Sequence, residues 1–422
     1  MHMETRNSKT EMPLFKVKGE KFIFVGEKTI MKLSDMCIMF GDGDWIESKD
    51  QSDDGIRLLQ TGNIGEGKFL EKGGKERFIS RETFEKLKCK EVFSGDILIS
   101  RLPEPVGRAC LVPEKKQRMI TAVDCTICRI DDKKIRRRYL CYYLQSANYY
   151  TQLKNSITGT TRKRISRKNL GNIEIKIPSD KKQEEVIKQL DLIVEIIDNK
   201  KKKLQLLDTL VKSRFVELFG NVFLNTMKWE EHSLELIADI VSGITKGRKM
   251  KQQTLMEVPY MAVSNVKDGY IDWTTIKTIE ATEQEINQYR LLPNDVLMTE
   301  GGDPDKVGRG AIIRKPLENC IHQNHIFRVR LNTTYILPEF FAEYLQHQRA
   351  KRYFLRCAKQ TTGIASINMK QLRALPVLIP PIELQNQFAD FVVSVDKSKS
   401  KIQKSLEETQ LLFDSLMQKY FG

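Results

Sequence analysis

The chain has none of the long apolar stretches that would place it in or across a membrane. No uninterrupted apolar run reaches transmembrane length, and the opening residues MHMETRNSKTEMPLF contain no apolar secretion core. A cytoplasmic location is the expectation. Among 422 residues there are only five histidines and eight cysteines. The cysteines are scattered: Cys37, Cys89, Cys110, Cys125, Cys128, Cys141, Cys320 and Cys357. In a reducing compartment they read as small buried hydrophobes. Cys125 and Cys128 have CxxC spacing, but no second pair completes a zinc site. They also lie in the strand-like run TAVDCTICRI, where residues three apart face opposite sides. Cys320, His322 and His325 supply only three ligands, so no metal is expected.

Catalytic signatures are missing as well. There is no GxxxxGK[ST] phosphate loop and no GxGxxG between a strand and a helix. No histidine stands in a GxSxG or Cys-His context. The Asn-Pro-Pro-aromatic sequence of amino-methyltransferases is absent, and no PD…ExK carboxylate set recurs. The reading is a binding protein without catalysis of its own.

What the chain does have is positive charge and a repeat. The net charge of +15 and the isoelectric point near 9.3 point to a polyanionic partner, foremost nucleic acid. With 40% hydrophobic residues the chain can bury more than one core, so two domains are expected. Lys181–Gly220 and Glu383–Gly422 align without a gap at a shift of 202 positions. Ile177-Pro178 falls on Ile379-Pro380, Gln183 on Gln385 and Phe219-Gly220 on Phe421-Gly422.

Each copy reads as one long helix of about 55–60 Å. The apolar positions step by four and three, the pattern of a coiled-coil seam. In the first helix they are Val186, Leu190, Ile193, Ile197, Leu204, Leu207 and Val211; in the second, Phe388, Val392, Val395, Ile402, Leu406 and Phe413. The two helices are expected to pair with each other.

Ahead of each helix lies a module of short apolar runs separated by Gly, Asn and Asp, a pattern of many strands and turns. The modules share landmarks. Gln60-Thr61-Gly62-Asn63 matches Ala262-Val263-Ser264-Asn265, and SGDILIS matches PNDVLMT. Val106-Gly107-Arg108 matches Val307-Gly308-Arg309, and Tyr143-Leu144-Gln145 matches Tyr344-Leu345-Gln346. One helix is expected over Arg138–Lys154. The resulting division is an N-terminal arm (1–26), a first module (27–178), a first helix (179–220), a second module (221–380) and a second helix (381–422).

The loops carry residue types that contact DNA. In the first module these are Thr61, Asn63, Arg101, Arg108, Thr160, Thr161, Arg162, Lys163 and Arg164. In the second they are Lys246, Arg248, Lys249, Ser264, Asn265, Arg309, Lys359, Thr361 and Thr362. Lys and Arg neutralise phosphates and Arg reads guanine edges, whereas Asn, Ser and Thr read other base edges.

These features together resemble the specificity subunit of type I restriction–modification systems. The resemblance runs from about Lys32 to Gly422. It is carried by FGDGDWIE, IRLLQTGNIGEG, SGDILISR and the Ile-Pro…Gln opening of each long helix. It implies an α+β fold: two mostly-β target recognition domains in pseudo-twofold tandem, joined by two long antiparallel coiled-coil-like helices. Each domain would read half of a bipartite double-stranded DNA target, with the helices setting the spacer. Two methyltransferase subunits would dock on the scaffold, and restriction subunits would join them. S-adenosylmethionine, ATP and Mg would belong to those partners, with no cofactor in this chain. The alternative is a tandem β-module scaffold that binds proteins rather than DNA.

Overall fold

A computed structural model describes residues 23–25, 28–247, 254–303, 306–361 and 364–422. Each module is organised on a four-stranded antiparallel sheet. In the first module the strand order is Cys37–Asp42, Cys125–Ile130, Ile97–Ser100, Ala109–Leu111. In the second it is Ala238–Ser242, Ile326–Leu331, Val296–Thr299, Gly310–Ile312. The strand Ile97–Ser100 is buried on both faces, which is why its first three residues are all apolar. Ile97 and Ile99 enter one core while Leu98 enters another. Val296 and Met298 against Leu297 repeat this split. Cys128 and Cys125 fall into separate cores for the same reason, the two-residue period of a strand.

The shared landmarks are structural braces. Asp96 is buried and accepts two hydrogen bonds from Arg129, at 3.0 and 2.9 Å. Asp295 accepts the same pair from Arg330, at 2.8 and 2.9 Å. Each aspartate also accepts the backbone N–H three residues before it, Phe93 or Leu292. The residue just ahead of each is left-handed, Gly95 at φ 88° and Asn294 at φ 72°, a conformation for which glycine and asparagine are suited. Tyr143 and Tyr344 donate their hydroxyls to the carbonyls of Glu174 and Pro376.

Two sequence expectations are corrected. Arg138–Lys154 is two helices, Arg137–Tyr143 and Ala147–Lys154, because the Ser146 hydroxyl caps the second at Tyr149 N–H (3.2 Å). The reading also passed over a helix at Arg81–Leu87, capped by Ser80. Ile23–Val25 of the N-terminal arm pairs antiparallel with Lys28–Lys32.

The long helices run Asp180–Phe219 and Ile382–Phe421, 40 residues each, or about 60 Å. They are shared between two compact units. One unit joins the chain up to Asp198 with Glu407–Gly422; the other is Asn199–Leu406. Within the first unit, Val186 and Leu190 pack in one core with Met417 and Phe421, and Phe421 meets Tyr139 and Tyr143 at ring separations of 5.2 and 6.0 Å. Within the second, Phe215 and Phe219 pack on Phe388 and Phe340, with Val211 and Val392 alongside. The beginning of one helix thus meets the end of the other in each unit, an antiparallel arrangement. The seam positions named above are buried or half-buried. Phe215, Phe219, Met417 and Phe421, all buried, extend the seam beyond them.

The start of each helix is tied to its module by the repeated glutamine. Buried Gln183 accepts Arg136 N–H (2.9 Å) and donates to the Pro178 carbonyl (3.1 Å). Gln385 accepts Leu337 N–H (2.8 Å) and donates to the Pro380 carbonyl (2.8 Å). The primary amide supplies both an acceptor and donors, which is what this junction requires.

Candidate nucleic-acid interface

Several residues chosen from sequence as DNA contacts are occupied inside the fold. Asn63 is buried; its carbonyl accepts Gln60 N–H and its amide donates to the Leu70 carbonyl, both at 2.9 Å. Asn265 makes the matching bonds with Ala262 N–H and the carbonyls of Asp272 and Thr275. A buried amide held on every side holds a turn together and presents nothing to a base.

Arg108 is half-buried and donates to four backbone carbonyls, those of Ile64, Pro103, Pro105 and Thr61. That last bond fixes the backbone of Thr61. Arg101 is buried, donating to the Val123 carbonyl (2.8 Å) and pairing with Asp42 (3.2 Å). Arg309, which follows Gly308, is half-buried. Glycine is required before both arginines: a Cβ on Gly107 would lie 2.3 Å from Leu153, and one on Gly308 would lie 2.3 Å from Phe354.

The remaining first-module candidates converge. Ile157–Thr158 and Arg164–Ile165 form a short antiparallel hairpin, and Thr160, Thr161, Arg162, Lys163 and Arg164 are all exposed on it. Gly159 turns the hairpin at φ 95°, where a Cβ would lie 2.4 Å from the Arg162 carbonyl. Lys163 pairs with Glu104 at 2.9 Å. The basic surface continues through exposed Arg167 and Lys168 on the next helix turn. These two extend the sequence candidates beyond Arg164, and the run RKRISRK carries the signal for all of them.

The second module carries the corresponding hairpin, Lys359–Thr361 with Ile364–Ser366, extended by Gly301–Gly302. Lys359 is exposed on it, and Lys246 and Ser264 are exposed elsewhere in the module. Arg248, Lys249 and Thr362, and the side chain of Thr361, lie outside the described residues.

Among the described residues, the buried cysteines and histidine are not poised for covalent chemistry. Burial pushes the Cys89 and Cys141 thiols up to about 11, and those of Cys125 and Cys320 up to about 12. Thiols so raised stay protonated at neutral pH and are poor nucleophiles. His322 is buried, with its ring nitrogens 3.0 and 3.3 Å from the carbonyls of Tyr289 and Val241. Burial pulls it down to about 4, so it is neutral at pH 7. Among the described residues no group of His, Cys, Asp and Glu could hold a metal, and no helix is long and apolar enough to cross a membrane.

A duplicated mostly-β module with a short hairpin in each copy, strongly basic in the first, and one long helix per copy define a class of tandem chains. The family model of the type I restriction modification DNA specificity domain matches this chain twice, over residues 26–209 and 227–409. The chain therefore belongs to the family of type I restriction–modification DNA specificity subunits, and carries its domain in tandem. The EcoKI specificity subunit of Escherichia coli K12 is 23% identical over 306 residues, covering 69% of this chain and 66% of its own length. The putative MjaX specificity subunit of Methanocaldococcus jannaschii is 29% identical over 195 residues, 46% of this chain and 45% of the relative. The matched stretch is thus just under two thirds of the first relative and under half of the second. The solved S subunit of M. genitalium shares the fold, with a TM-score of 0.55 at 16% identity over 94% of this chain and 96% of that one.

Proposed function

We propose that this chain is the sequence-reading, non-catalytic subunit of a type I restriction–modification complex. Each module reads one half of a bipartite target on double-stranded DNA. The observation that carries the reading is a duplicated frame bearing an exposed hairpin at the same place in each copy, basic in the first and diverged in the second. Hairpin cations supply the salt-dependent hold on phosphates.

The helix pair sets the distance between half-sites. It also offers the docking face for methyltransferase subunits: Leu206 and Leu210 are exposed beside Leu207 and Ile402, lining an apolar groove of about 500 Å³ within the Asn199–Leu406 unit. Exposed apolar surface of this kind marks protein contact, which also accommodates restriction subunits joining the assembly. S-adenosylmethionine, ATP and Mg act on those partners.

The ruler is tested by lengthening both helices together. Lys200 Nζ donates to the Ser405 carbonyl and hydroxyl at 2.8 Å, which fixes the local pairing. Seven residues inserted after Lys203 and after Lys401 keep the seam in phase. Such an insertion adds about 10 Å, or about three base pairs of DNA. DNA selected from a random pool by the assembled complex is expected to show a spacer longer by that amount; an unchanged spacer refutes the ruler.

A further inference from the structure

The two modules share one junction that is closed in the first and open in the second. At the end of the strand Ile97–Ser100, Arg101 N–H donates to the Asp124 carbonyl (2.9 Å), and Ile165 N–H of the hairpin donates to the Arg101 carbonyl (3.3 Å). At the end of Val296–Thr299, Glu300 N–H donates to the His325 carbonyl (3.0 Å), and Ile367 N–H donates to the Glu300 carbonyl (2.9 Å). Strand end, turn and hairpin therefore meet in the same way in both copies, and Glu300 and His325 occupy the places of Arg101 and Asp124.

The side chains differ in kind. Arg101 turns inward, its side chain 9% exposed, against Asp42. In the second module the residue matching Asp42, one before the tightly enclosed Gly243, is Ser242, and its hydroxyl is held by the Asn324 carbonyl at 2.6 Å. No carboxylate stands there to draw the side chain in. Glu300 instead pairs outward with His325, Oε2 to Nδ1 at 2.6 Å, with side-chain exposures of 32% and 57%. The pairing leaves the carboxylate a second oxygen and fixes the direction in which it points.

Resting on the reading that the hairpin face meets DNA, we infer that Glu300 is a specificity-determining residue of the second module, with His325 as its positioning partner. Its carboxylate accepts a hydrogen bond from the exocyclic amino group of a base, cytosine N4 or adenine N6, in the half-site this module reads. An acid on a surface that meets phosphates weakens binding everywhere. It gains only where a base presents a donor, and the carboxylate is the acceptor-only group suited to that. In the first module the residue at the Glu300 position is an arginine locked inside, and a half-buried aspartate, Asp124, takes the place of His325.

The test uses the chain assembled with its methyltransferase subunits. DNA is selected from a pool in which the first half-site and spacer are fixed and the second half-site is randomised. Glu300→Gln is expected to relax or switch the preference at one position of the second half-site by about tenfold or more. His325→Gln, which keeps the carboxylate, is expected to blunt the same position by a smaller factor. An unchanged preference with Glu300→Gln, or an equal fall in binding across all sequences, overturns the assignment. If the wild-type complex enriches no second half-site at all, the DNA-reading function falls and this inference with it. Thermal melts of both variants within a few degrees of wild type are expected; a large drop assigns the pair to folding and also overturns the proposal.

Discussion

The two modules are one frame filled in two ways, and the difference separates what folds the chain from what it reads. The Asp96–Arg129 and Asp295–Arg330 braces are nearly superimposable in length. The glutamine ties and the buried asparagine turns recur as well. None of these can distinguish the two modules, because both copies have them. The contrasts lie between those landmarks. After Gly43 the first module runs through Asp44, Glu47, Asp50, Asp53 and Asp54, whereas after Gly243 the second runs through Lys246, Arg248, Lys249 and Lys251. Arg101 is sealed and Glu300 is open. Where the sequence repeats, the residue serves the fold; where it diverges on the outside, it is free to serve recognition.

The largest effect expected from this contrast is at the helix joints. Phe215 lies among Phe219, Phe340 and Phe388, while its counterpart in the first unit is Met417 beside Phe421. Phe215→Ala should cost about 3–5 kcal/mol and Met417→Ala about 2–3 kcal/mol, each in the unit that houses it. Urea unfolding followed by hydrogen exchange would separate the two, and equal destabilisation of both units by either variant would break the comparison.

Next come the matched braces. Asp96→Ala and Asp295→Ala each strand a partly exposed arginine, so about 2–3 kcal/mol is expected, less than for a fully buried pair. The values should agree between modules, and a clear inequality would show that one brace has acquired a second role.

A pH dependence should belong to the second module alone. His322 titrates near 6.5 unfolded and near 4 folded. Because its folded value is depressed, its contribution is fully present above about pH 6.5 and is lost as pH falls toward 4. At pH 5 the loss is about 2 kcal/mol. In the first module the matching position is Thr121, whose hydroxyl bonds the Leu59 carbonyl at 3.2 Å. His322→Thr should reduce the fall in melting temperature of the second unit between pH 7 and pH 5, the remainder belonging to His347, which burial also lowers; an unchanged slope would assign the whole of it to other groups.

The smallest effect is on DNA. Removing Arg162 and Arg164 together should weaken binding evenly across sequences and reduce the salt slope by about two. A change in base preference instead would make these arginines readers rather than phosphate contacts.

Much of this was legible in the sequence because it is periodic. The 202-residue shift, the short strands and the four–three seam each report on the backbone or on burial, which local pattern encodes. The site was less legible. Asn63, Asn265, Arg101 and Arg108 looked like base readers because a polar residue in a loop looks the same whether it faces water or a backbone carbonyl. Only the closed fold reveals that Arg108 faces four carbonyls. Phe215 lies one four-residue step beyond Val211, where the four–three seam read from sequence ends, although the buried face passes through it. From sequence His325 reads only as a metal ligand, since its carboxylate partner lies 25 residues away in the chain.

The sharing of the long helices sets an order of events during synthesis. Everything in the Asn199–Leu406 unit is contiguous, so it has all its parts once Leu406 has left the ribosome. The other unit begins first but waits for Glu407–Gly422, because Phe421 closes against Tyr139 and Tyr143. The reader made first is therefore completed last, and trimming the tail of the second helix should loosen the far earlier module while sparing the one next to the cut.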